Sequence, residues 1–114
     1  DNWAVGSWHL HTKYPKVVVV VEDMPSAEKL HAVPGVNAIA LLGTSLPDEL
    51  SNRIARAYPG IPIVLSLDND ATSNIVLTVV NARRLIPTLR GIQLDKDIKD
   101  LTPKELDEYA AKII

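Results

Sequence analysis

Five consecutive valines, Val17–Val21, constrain this chain more than any other feature. A run that is β-branched and apolar at every position fits a strand buried on both faces, not a half-exposed one. Such a strand demands cover above and below, which points to helices on both sides of a sheet. The rest of the sequence supplies them. Ser26 is placed to cap a helix over 26–33, which Pro34-Gly35 ends. A second apolar strand over 36–42 closes at Gly43. Leu46-Pro47-Asp48-Glu49 then opens a helix to Tyr58, with proline near its start and acids in its first turn. Pro59-Gly60 stops that helix and a third strand spans 63–67. The next helix, over 71–86, carries Ile75, Val76, Val79, Val80 and Ala82 on one stripe. A fourth strand covers 89–94, and Thr102-Pro103-Lys104-Glu105 caps a last helix reaching Ile113. Strand–helix units with short connections predict a three-layer α/β/α domain, Rossmann-like, around a mainly parallel four-stranded sheet.

Residues 1–15 read differently from 16–114. Trp8, Leu10, Thr12 and Tyr14 alternate with His9, His11 and Lys13, the pattern of a half-exposed strand. The expectation is an extra N-terminal edge strand on the same sheet, or the tail of a preceding domain against which Trp3 and Trp8 would bury. The chain starts at Asp1 and its only methionine is Met24, as in a piece cut from a longer protein. With 114 residues it can build one core. The absence of cysteine excludes disulfides, thiol nucleophiles and Cys-ligated zinc. No apolar run approaches the ~20 residues of a membrane helix. Twelve basic against 14 acidic residues give a net charge of −2, unsuited to gripping nucleic acid by phosphate neutralisation alone. His9, His11 and His31 read as exposed residues, and Tyr14, Tyr58 and Tyr109 as packing residues.

The acids are more informative. Ligands of an open parallel sheet bind beyond the carboxyl ends of its strands. Three of the four expected strands end in acids there: Glu22-Asp23, then Asp68 and Asp70, then Asp95, Asp97 and Asp100. The remaining strand ends in the small, neutral Gly43-Thr44-Ser45. If the three acid-tipped strands are neighbours, their carboxylates converge on one rim. Crowded carboxylates raise one another's pKa or recruit a cation. All-oxygen ligands select a hard ion, Mg²⁺ first and Mn²⁺ next. Each acid taken singly is equally a helix cap, and Asp70 stands where an N-cap would. Lys96 and Lys99 are interleaved with the last group, so that loop is in part a solvated charge run.

An apolar strand ending in Glu22, a strand leading into Leu42-Gly43-Thr44, a strand ending in Asp68-Asn69-Asp70 and the later Lys96-Asp97-Ile98-Lys99-Asp100 together resemble the Toprim domain. Bacterial-type primases, type IA and type II topoisomerases, some nucleases and recombination mediators share that domain. Val21-Glu22-Asp23-Met24-Pro25-Ser26-Ala27 and Leu41-Leu42-Gly43-Thr44-Ser45-Leu46 look most like the phage primase and primase–helicase branch. The resemblance implies catalytic roles for Glu22, Asp68 and Asp70, and Mg²⁺ or Mn²⁺ ligation by these three with Asp97. Asp23, Asp100 and the turn residue Gly43 would be additional members, and Lys96, Lys99, Arg83 and Arg84 phosphate contacts. Two positions depart from the family pattern: Asp23 replaces the usual glycine, and Ala71-Thr72-Ser73 replaces the usual Ala-Gly.

The implied reaction is nucleotidyl transfer in RNA primer synthesis during DNA replication, in the cytoplasm of a bacterium or phage-infected cell. DNA template and NTPs would be its partners, with zinc-binding and helicase domains adjoining it in the parent protein and no membrane involved. This chain alone has no cysteine and no Gly-x-x-x-x-Gly-Lys-Ser/Thr loop, so by itself it is expected to make no primers. A topoisomerase or nuclease Toprim domain and a module that only docks partners remain alternatives. So does a phosphoacceptor receiver domain, which also carries acids after its first and third strands.

Overall fold

The computed structural model describes residues 8–10, 15–41, 46, 48–66, 78–92, 94 and 96–114. The valine run forms β2 (Val17–Val21), and all five side chains are buried. Alternate valines serve two cores, as a period of two requires. Val18 and Val20 pack with Ile39, Ile63 and Leu65 of the sheet and with Leu50, Ile54 and Ala82 from helices on that side. Val17, Val19 and Val21 pack with Ala27, Leu30, Ile98, Tyr109 and Ile113 on the other. The elements behind these contacts are α1 (Met24–His31), β3 (Val36–Ala40), α2 (Asp48–Ala57) and β4 (Ile63–Leu65). They are followed by α3, helical over 78–82, then β5 (Leu89–Gly91), a 3-10 turn at Ile98–Asp100 and α4 (Pro103–Ile113). The three-layer α/β/α expectation holds.

The sheet has five strands in the order β1-β3-β2-β4-β5. Its outermost member, β1 (Trp8–Leu10), pairs antiparallel with β3, the extra N-terminal edge strand that the alternation predicts. The other four are parallel. The three strands expected to end in acids, β2, β4 and β5, are therefore consecutive neighbours. Their amide ladder runs past the strand ends: Ser66 N–H donates to the Val20 carbonyl and Ile92 N–H to the Leu65 carbonyl, both at 2.9 Å.

Several boundaries differ from the sequence reading. Each strand stops where its partner stops. Val21 pairs with Ala40, Val20 with Leu65, and Leu65 with Gly91; the Ile92 N–H still bonds to the Leu65 carbonyl, but the strand itself ends at Gly91 rather than at Leu94. The cap of α1 is Asp23, not Ser26. Asp23 Oδ1 accepts the Ser26 N–H at 2.9 Å, which makes Ser26 the donor of the first turn and Pro25 one of its opening residues. Helix α1 also ends earlier, at His31, and Gly35 turns the chain at φ +82°. The positive φ is what calls for glycine at Gly35; a Cβ there would also come within 3.3 Å of the Lys16 side chain. His31 is half-buried rather than a surface residue. The helical stretch of α3 stops at Ala82 instead of Ile86, and a turn over 83–85 closes with the Leu85 and Ile86 N–H groups both donating to the Ala82 carbonyl. Its expected start at residue 71 lies outside the described residues. Helix α4 matches expectation, with a complete capping box between Thr102 and Glu105. Among the described residues no helix is long and apolar enough to cross a membrane.

Candidate functional site

Parallel strands aim their carboxyl ends at one rim, and here that rim holds a small cleft. It is lined by Val21, Glu22, Asp23, Ser26, Ser66, Leu94, Lys96, Asp97 and Ile98. Glu22 and Asp23 arrive directly from β2. Ser66 follows β4, and Asp97 comes from the segment after β5, where it precedes the 3-10 turn. Burial of Val21 and Ile98 anchors two of these segments in the core, so the positions of Glu22 and Asp97 are set by apolar neighbours rather than by their own charge.

The carboxylates are not left facing one another. Lys99 Nζ lies 3.6 Å from Asp23 Oδ2 and 3.5 Å from Asp97 Oδ2, bridging the two chain segments. Asp23, followed by Asp97, holds the Lys99 ammonium above its ordinary pKa, opposed by a lesser desolvation effect. Asp23 uses its other oxygen to cap α1. Lys29 on α1 secures the turn from behind, donating to the Lys99 carbonyl at 3.1 Å and also to the Leu101 carbonyl. Glu22 has one carboxylate oxygen, Oε1, shut off from solvent. Lys96 Nζ pairs with Glu105 Oε1 at 2.6 Å, and this contact, with the Thr102 backbone, lowers the Glu105 pKa to about 2. Behind the cleft, the Ser66 and Tyr109 hydroxyls are hydrogen-bonded to each other. Burial pushes the Tyr109 pKa up to about 12, with the Ser66 bond opposing it.

Of the residues singled out from sequence, Glu22, Asp23, Lys96 and Asp97 meet in this cleft, and Lys99 reaches it through its two ion pairs. Asp100 is exposed on the 3-10 turn and is not among the cleft residues. Arg83 Nε donates to the Leu89 carbonyl at the amino end of β5, at the opposite end of the strands from the cleft. Arg84 pairs with Asp48 at 2.9 Å, with both side chains well exposed. Neither arginine lines the cleft. Asp68, Asp70 and Gly43 lie outside the described residues, as does Asp95. Tyr58 and Tyr109 are packing residues as expected: Tyr58 is half-buried and accepts from Asn37 Nδ2 at 3.1 Å, and Tyr109 is buried. Sequence reasoning missed the cleft hydroxyls of Ser26 and Ser66 and the clamp made by Lys29. The alternation of Lys and Asp over 96–100 was the available signal for the Lys99 bridge, since opposite charges in one short loop must either pair or dissolve.

The donor chemistry suits a hard cation, because among the described residues carboxylates and hydroxyls are the cleft's only anionic or neutral polar side chains. The number of donors does not suffice within the described part: among the described residues no three His, Asp or Glu side chains gather around a point where a metal could sit.

No family model and no curated protein matches this sequence. Among solved structures, the fold is similar to that of a small TOPRIM domain protein from Bacillus stearothermophilus, with a TM-score of 0.66. The match spans 88% of this chain and 86% of that one at 17% sequence identity. At that identity the likeness is one of fold, and it agrees with the α/β architecture expected from the sequence.

Proposed function

We propose that this chain is a Toprim-type, metal-binding domain of a nucleic-acid-processing enzyme, and that its reaction is the nucleotidyl transfer of a DNA primase. The observation that carries the reading is the meeting of Glu22, from the end of β2, with Asp97, from beyond β5, in one cleft at the carboxyl rim. The strand leading to Asp68 and Asp70 runs between those two. Glu22, Asp68, Asp70 and Asp97 would hold Mg²⁺ or Mn²⁺. Bound there, the ion would offset the charge that builds on the phosphates during in-line transfer.

The side chains around the cleft have parts of their own. Glu22 serves as an ion ligand or as the base that takes the proton from an attacking hydroxyl. Lys96 brings positive charge to the rim, where a nucleotide's phosphates would lie. Template DNA, NTPs and adjoining zinc-binding and helicase domains belong to the parent protein in this reading, which places it in the cytoplasm.

Mn²⁺ titration of the 114-residue chain by calorimetry tests the metal-binding part. Saturable binding is expected, weakened at least tenfold by Glu22→Gln and by Asp68→Asn. Binding indifferent to both substitutions would refute it.

A further inference from the structure

We infer that Lys99 is a built-in counter-cation of this site: its ammonium holds Asp23 and Asp97 together while no divalent ion is bound, and gives up Asp97 when one enters. The inference rests on the metal-binding reading above and deepens it. Asp23 and Asp97 belong to segments far apart in sequence, yet one ammonium lies 3.6 Å from the first and 3.5 Å from the second. Without a cation between them, two carboxylates converging on a common neighbour repel, and the cleft would splay.

The anchoring of the loop makes the arrangement reversible. Lys29 fixes the Lys99 backbone to α1 through the Lys99 and Leu101 carbonyls. Internal bonds of the 3-10 turn, from Asp100 N–H to the Asp97 carbonyl and from Leu101 N–H to the Ile98 carbonyl, hold its shape. Only the Lys99 side chain then has to move. It is 42% exposed, so it can swing into water. Exposed ion pairs of this kind are weak, so a divalent ion can displace the ammonium from Asp97. The Asp23 cap on α1 uses the oxygen that Lys99 does not touch, so helix and cleft do not depend on the exchange.

Lys99 therefore competes with the divalent ion for Asp97, which sets a direct test. Mn²⁺ affinity is measured on the full chain for the wild type, Lys99→Gln and Lys99→Arg, by electron paramagnetic resonance of free Mn²⁺. Removing the ammonium in Lys99→Gln is expected to tighten Mn²⁺ binding about two- to fivefold, the range in which exposed ion pairs operate. Lys99→Arg, which keeps the charge, should stay near the wild type. In thermal melts, Lys99→Gln should also show the larger gain in Tm on adding Mn²⁺. Wild-type binding with Lys99→Gln equal or weaker would overturn the role of Lys99 and leave the metal-binding reading standing. Absence of Mn²⁺ binding in both proteins would overturn that reading, and this inference with it.

Discussion

Tyr109 reports most clearly on how a single side chain is paid attention by its surroundings: it is buried, bonded to Ser66, and its pKa is driven up to about 12. An unfolded tyrosine ionises near 10, so the unfolded chain releases this proton first as pH rises. The stabilisation is therefore complete below pH 10 and is lost as pH climbs through 12. By linkage it amounts to roughly 2–3 kcal/mol. Denaturant melts of the wild type should lose that stability between pH 10 and 12, and Tyr109→Phe should lose less over the same interval. Equal losses would mean that the Tyr109 hydroxyl is solvated. Glu105 behaves in the opposite sense. With its pKa lowered to about 2, its contribution is present above the ordinary carboxylate range and fades as pH falls toward 2, but the group is exposed and its effect on stability small.

At the scale of elements, the start of α1 joins folding to the site, because Asp23 caps the helix with one oxygen and meets Lys99 with the other. Replacing it by alanine should cost about 1 kcal/mol, the ordinary value of an N-cap. Asp23→Asn keeps an accepting oxygen and should recover most of that in urea melts; an equally unstable Asn variant would locate the loss in the ion pair. This junction also marks the limit of what the sequence makes legible. The valine run announces a central strand because no other setting buries every position. Ser26 and Asp23 are both good capping types, and the choice falls to whichever stands three residues before an unpaired amide. The strand after Pro87 reads as running to Leu94, yet it ends at Gly91, opposite the last residue of its neighbour, Leu65. Pairing partners, not the strand's own residues, decide that length. The same holds for Lys99: its charge is visible in the sequence, but its bridge requires knowing that the end of β2 lies beside the turn after β5.

At the scale of the molecule, the order β1-β3-β2-β4-β5 turns scattered acids into neighbours. Had β3 lain between β2 and β4, Glu22 and Asp97 would stand on separate parts of the rim. The fold likeness to a small TOPRIM domain protein belongs to this scale as well, since it concerns topology rather than side chains. The central claim is that the carboxylates from separate strand ends bind one kind of ion in one place. Substoichiometric Mn²⁺ added to ¹⁵N-labelled protein tests it most directly, because paramagnetic broadening marks the amides nearest the ion. Broadening is expected at Glu22, Ser66 to Asp70 and Asp97, with Tyr58 and Arg84 left sharp. Broadening confined to surface acids such as Glu49, Asp107 and Glu108, with Glu22 and Asp97 unaffected, would contradict the account.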